Sequence, residues 1–155
     1  MSLEEIGIVG ELFGSLAVVV TLIYVALQLR QNTQAIRAAA VQSITETVAT
    51  NVTNIAANPE NASVFRRGLR QFPEMSETEQ AQFALVMNSI FLSQDGIYWL
   101  YRNGSFPEEL WQRELGALQL WLASEGGKAA WDEALLSAPF RDYVNTQLQL
   151  PRKKP

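Results

Sequence analysis

LFGSLAVVVTLIYVALQL, residues 12–29, is a run of 18 residues without a charged side chain. Apolar character reaches back from it through Ile6, Ile8 and Val9, around Glu11. As a helix, residues 6–29 span roughly 36 Å at about 1.5 Å per residue, enough for a hydrocarbon core of about 30 Å. The stretch is therefore expected to be a transmembrane helix. A core helix of a soluble bundle would also accept the β-branched run Val18, Val19, Val20, Thr21 and Ile23. In a protein this small, however, such a helix should keep a polar face, and residues 16–27 offer only Thr21 and Tyr24.

A cleaved signal peptide would open with positive charge and carry a shorter apolar core, whereas this chain opens with Ser2, Leu3, Glu4 and Glu5. Gln28, Leu29, Arg30 and Gln31 follow the run in place of a small-residue cleavage site, so residues 1–30 are expected to remain as an anchor. Charge sets the expected orientation. Glu4, Glu5 and Glu11 stand before residue 30, where no Lys or Arg occurs, and Arg30 and Arg37 follow the run. Positive charge stays on the cytoplasmic side, which puts the N-terminus outside and the remainder in the cytoplasm.

Within the run, a seven-residue register sets Glu4, Glu11, Val18, Val25 and Asn32 at one seam position, and Gly7, Gly14, Thr21, Gln28 and Ala35 at the other. Glycine permits close backbone approach, and Thr or Gln can hydrogen-bond between helices in lipid. Gly10 and Gly14 add a small-xxx-small pair. Glu11, Gly14, Thr21, Gln28 and Asn32 are thus the candidate residues for helix association or for lining a pore. For Glu11 two readings stand: an interfacial acid in an early helical turn, or a group facing protein or water.

Beyond Arg30 the helical pattern continues without Pro or Gly until Asn58-Pro59, so one helix is expected from about residue 3 to 57. Its later part carries an apolar stripe of Ile36, Ala40, Ile44, Val48, Val52 and Ile55. A short helix with Val64, Phe65 and Leu69 should follow Pro59, with Arg66, Arg67 and Arg70 on its other side. Ser76 with Glu79 reads as a capping box opening a helix to about residue 101. Phe106-Pro107-Glu108-Glu109 opens the next, which Gly126-Gly127 is expected to end. Residues 128–136 read as another helix, and Ser137 with Pro139 as the start of a last one. No strand alternation is sustained. The fold expected is all-α: an N-terminal transmembrane helix continuing into a long helix, then a small cytoplasmic helical bundle over residues 31–150 and a basic tail at 151–155.

The juncture VVVTLIYVALQLRQNTQAIRAAA, residues 18–40, resembles the start of a group of small bacterial membrane-anchored proteins, of no assigned activity, in which an apolar span runs into a Q-x-R-Q-N-T segment. Here Gln28, Leu29, Arg30, Gln31, Asn32 and Thr33 form that segment. The resemblance covers about the first quarter of the chain and implies a bacterial inner-membrane protein with a helical body. It implies no activity, cofactor or catalytic residue.

Composition narrows the chemistry. The 155 residues contain no Cys and no His, which excludes disulfides, thiol nucleophiles, imidazole metal sites and a Ser-His-Asp triad. Acids at helix starts read as complements to the helix dipole, and the three arginines after Pro59 lack the net positive footprint of a nucleic-acid binder. Gln94, Asp95, Tyr98, Trp99 and Tyr101, with Trp111 or Trp121 opposite, are the candidate ligand pocket; aromatic residues at this spacing mostly fill cores. The function expected is a self-associating membrane-anchored interaction or scaffold protein without catalytic activity or cofactor. Its partners would be the bilayer and another copy or another membrane protein, with no nucleic acid. A homo-oligomeric pore and a small-molecule-sensing domain are the alternatives.

Overall fold

The computed structural model describes residues 3–150, so the basic tail read at 151–155 lies outside the described residues. It holds six α-helices and one 3-10 turn, with no strand among the described residues. The helices are α1 (Leu3–Ala56), α2 (Pro59–Arg70), α3 (Glu77–Arg102), α4 (Glu108–Leu122), α5 (Glu125–Glu133) and α6 (Ala138–Gln147); the 3-10 turn is Phe72–Glu74. The chain divides into two compact units, Met1–Ala39 and Ala40–Pro155.

The first unit is the N-terminal part of α1, which is long and apolar enough to cross a membrane. The hydroxyl side chains of Ser15, Thr21 and Thr33 bond within the helix. Ser15 Oγ donates to the Leu12 carbonyl at 2.9 Å, Thr21 Oγ1 to Ala17 at 2.8 Å and Thr33 Oγ1 to Leu29 at 2.9 Å.

In the second unit α3 is the hub, packing against α2, α4 and α5. The sequence sets its start firmly. Glu79 N–H donates to Ser76 Oγ and Glu79 Oε2 accepts from Ser76 N–H at 2.9 Å, completing the capping box. Arg67 of α2 pairs with the other Glu79 oxygen. The Ser76 backbone and hydroxyl, and then Arg67, hold the Glu79 carboxyl below its ordinary range. Phe83, Met87, Phe91, Tyr98, Trp111, Leu118, Leu122, Phe140 and Val144 form the core of the unit. From α1, Val41, Ile44, Val48 and Ile55 reach it, whereas Ile36 and Val52 of the expected stripe are exposed.

Gly126 and Gly127 do not end α4. That helix stops at Leu122, and Ser124 caps α5 by accepting from Gly127 N–H at 3.0 Å, so both glycines lie in the first turn of α5. Helix 5 accordingly covers Glu125–Glu133 and not residues 128–136. The reason is steric. A Cβ on Gly126 would fall 2.2 Å from the Gly68 carbonyl oxygen of α2, and one on Gly127 would fall 2.0 Å from the Trp121 carbonyl oxygen. The glycines serve close backbone approach, a use that leaves no mark in local sequence.

Gly126→Ala should therefore destabilise the domain by about 1–3 kcal/mol through overpacking. Gly96→Ala, on the exposed side of α3 with open space around it, should stabilise it by about 0.5–1 kcal/mol through helix propensity. Thermal melts of the two variants followed by circular dichroism should move in opposite directions.

Candidate functional site

Helix 3 turns its polar and aromatic residues toward different neighbours, and this separates the expected pocket residues. Asp95 accepts from Ser137 N–H and from Ser137 Oγ, each at 2.7 Å. Its carboxylate thus anchors the N-cap residue of α6, and the Ser137 side chain makes no capping bond within the helix. Tyr98 and Trp111 are fully buried in an aromatic cluster with Tyr101, Phe140 and Tyr143. Trp111 Nε1 donates to the Tyr143 hydroxyl at 3.1 Å, and Arg102 Nη1 donates to the Tyr98 hydroxyl at 2.9 Å. Trp99 points away, 47% exposed. The Glu108 carboxylate, then burial and Tyr143, push the Tyr101 hydroxyl up to about 12. That value leaves it a neutral donor, unsuited to proton transfer near neutral pH.

Gln94 and Trp121 are the members of the expected group that line a cavity. The cavity measures about 370 Å³, within the unit of residues 40–155. Val48, Val52 and Ile55 of α1, Phe65 of α2, Ile90 of α3 and Trp121 of α4 supply much of its apolar lining. Its polar lining is Asn51, Ser93, Gln94 and Glu114. Asn51 Nδ2 donates to Ser93 Oγ at 3.2 Å, and Ser93 Oγ donates to the Ser89 carbonyl at 2.9 Å.

Gln94 and Glu114 are both buried, 2% and 6% exposed. Gln94 Nε2 donates to Glu114 Oε2 at 3.0 Å, and Arg113 Nη2 donates to Glu114 Oε1 at 2.9 Å. Gln94 Oε1 is buried without a hydrogen-bond partner among the described residues. A carboxylate is acceptor-only, so its contact fixes which end of the amide is nitrogen. The free group is therefore the acceptor.

Glu114 is absent from the residues that sequence alone singles out, whereas Val48, Val52 and Ile55 of the α1 wall belong to the stripe read there, though not as a pocket lining. A signal for Glu114 does exist: Trp111, Leu115, Leu118 and Leu122 form one stripe of α4, and Glu114 lies inside it. An acid within an apolar stripe is buried by the same rule that buries its neighbours. The α1 stripe is marked in the sequence, but its placement beside Gln94 and Trp121 depends on tertiary packing.

The seam residues of α1 are placed plainly. Glu11, Gly14, Thr21, Gln28 and Asn32 are all exposed, and Gln28 Nε2 donates to the Tyr24 hydroxyl at 2.9 Å. A Cβ on Gly7, Gly10 or Gly14 would meet open space. The Glu4 side chain lies outside the described residues. Among the described residues no three acids gather to hold a metal ion.

No known protein family, no curated protein and no solved structure matches this chain.

If Asp95 serves α6, Asp95→Ala should cost about 2–4 kcal/mol, since two charge-assisted bonds are lost and the Ser137 donors lose their acceptor. Denaturant titration measures this. An unchanged midpoint would make Asp95 a candidate ligand-binding group again.

Proposed function

We propose that this protein is a membrane-anchored helical interaction protein that associates with copies of itself. Uncharged helix surface left uncovered by the rest of the chain carries the reading. From Leu12 to Leu29 every large apolar side chain is exposed, from 43% at Val25 to 68% at Leu12. Burial would yield about 1.5–3 kcal/mol for each such side chain, and a bilayer supplies it all round the helix. The internal bonds of Ser15 and Thr21 suit that setting, because their hydroxyl donors are then met within the helix. Arg30 and Arg37 after the span favour an external N-terminus and a cytoplasmic domain, at the bacterial inner membrane that the 18–40 juncture implies.

Association is supported by a second surface, on α3. Ala81, Leu85, Ser89, Leu92, Gly96 and Trp99 recur at helical spacing, all exposed, with no charge among them over five turns. A helix face meant for water is normally charged. Here Ser89 and Gly96 alternate with Leu85, Leu92 and Trp99, so large residues of one copy find small ones of another, the pattern of a self-complementary interface. Acids in the first turn of α3, and no Lys or Arg until Arg102, make an anionic membrane surface a poor match for this face. In the anchor, Gly10, Gly14 and Thr21 present a second small-residue face for the same association.

The absence of Cys makes any introduced thiol unique. Ser2→Cys should react with a membrane-impermeant maleimide on intact cells, and Lys128→Cys only after lysis. The reverse pattern inverts the orientation, and recovery of the chain in a carbonate wash removes the span. Ser89→Cys should form a disulfide-linked dimer in membranes under mild oxidation. Adding Leu92→Glu, at an exposed position that leaves the fold intact, should reduce that dimer at least tenfold. A Ser89→Cys chain that stays monomeric, or links to a different protein, refutes self-association through α3.

A further inference from the structure

We infer that the cavity over Gln94 and Glu114 binds a neutral, largely apolar small molecule carrying one hydrogen-bond donor, such as a medium-chain alcohol. The inference does not depend on whether α1 crosses a membrane. Its volume of about 370 Å³ lies within the range of small-molecule sites, about 300–1,000 Å³. Val48, Val52, Ile55, Phe65 and Trp121 give it an apolar wall. Such a wall takes an aliphatic or aromatic body.

The polar end is specified by what is missing. Gln94 is buried, its Nε2 is committed to Glu114 Oε2 at 3.0 Å, and its Oε1 has no partner among the described residues. A buried acceptor left unmet costs about 1–3 kcal/mol. Flipping the amide offers no remedy, because it would set two oxygens against each other. Gln94 lines the cavity and its terminal torsion is soft, so a small turn of the amide opens Oε1 to a donor seated there. What satisfies Oε1 is an O–H or N–H donor.

Charge decides among donors and related head groups. The Glu114 carboxylate beside the amide repels an anion, so a fatty carboxylate of the same length is rejected. Glu114 already accepts from Arg113 and from Gln94, which leaves a second cation little to gain. A neutral hydroxyl fits both constraints.

The test uses the full chain in amphipol, labelled with 5-fluorotryptophan, with the Trp121 resonance assigned through Trp121→Phe. Titration with 1-octanol should shift that resonance saturably. Octanoate at the same concentrations should leave it in place, and octane should bind at least tenfold more weakly. Gln94→Leu should bring octanol down to the affinity of octane, and Ala62→Leu, which fills the cavity from α2, should abolish saturable binding. If Gln94→Leu loses its dispersed spectrum, the Ala62→Leu arm and the octanol-to-octane ratio decide. The proposal is overturned by the absence of any saturable shift, by octane or octanoate binding as tightly as octanol, or by octanol binding unchanged in Ala62→Leu.

Discussion

Burial of α3 is the constraint on which the helical domain rests. A 26-residue helix that is apolar over most of its circumference cannot stand in water, and the other elements of the unit are arranged to cover it. Its first turn is tied to α2 through Arg67 and Glu79, its middle to α6 through Asp95 and Ser137, and its later turns to the ring cluster around Trp111. These ties differ in kind. The first is partly solvated and contributes little. The second is mostly buried and hydrogen-bonded at both oxygens, so it fixes the register of α6 against α3. The ring cluster supplies the bulk of the apolar area. Where the cover stops, at Leu85, Leu92 and Trp99, the helix retains its apolar character and not its protection.

The same tension appears in α1 on a larger scale. Its C-terminal part presents Val41, Ile44, Val48 and Ile55 to the domain core, while its N-terminal part presents apolar residues in every direction. A helix with one apolar stripe is answered by one neighbour; a helix apolar all round is answered only by a surrounding medium or by several neighbours. The change of character falls close to the division at Ala39 and Ala40. Composition marks the same place, since the uncharged run gives way to Arg30, Arg37 and a series of Gln, Thr and Asn residues.

Local rules make much of this fold legible in the sequence. Asn58-Pro59 and Ser76 with Glu79 carry their own capping chemistry, Pro139 sits in the first turn of α6, and each marks a helix start where expected. The long first helix is visible from the lack of breakers. What stays hidden is chemistry that depends on a distant partner. Gly126 and Gly127 look like terminators because glycine commonly ends helices, yet their use is set by the Gly68 and Trp121 carbonyls. Ser137 looks like a side-chain cap, but its hydroxyl is spent on Asp95, 42 positions away. In the candidate pocket, the 100° step between Gln94 and Asp95 sends one to the cavity and the other to α6. Adjacency groups these residues in the sequence, and the helix separates them for the same reason.

The buried polar groups of the domain differ in how fully they are answered, and the contrast is sharpest between Asp95 and Gln94. Asp95 is answered at both oxygens by Ser137, and Asn145 Oδ1 accepts from Trp131 Nε1 at 3.2 Å. These groups are structural: each joins two segments of the core. Gln94 and Glu114 also join two helices, but they do so incompletely, with one acceptor unmet and with the balancing Arg113 largely in solvent. An apolar pair of similar volume would join α3 and α4 at less cost in desolvation. Incomplete satisfaction and open volume thus occur side by side at Gln94, whereas the Asp95 and Asn145 contacts are closed.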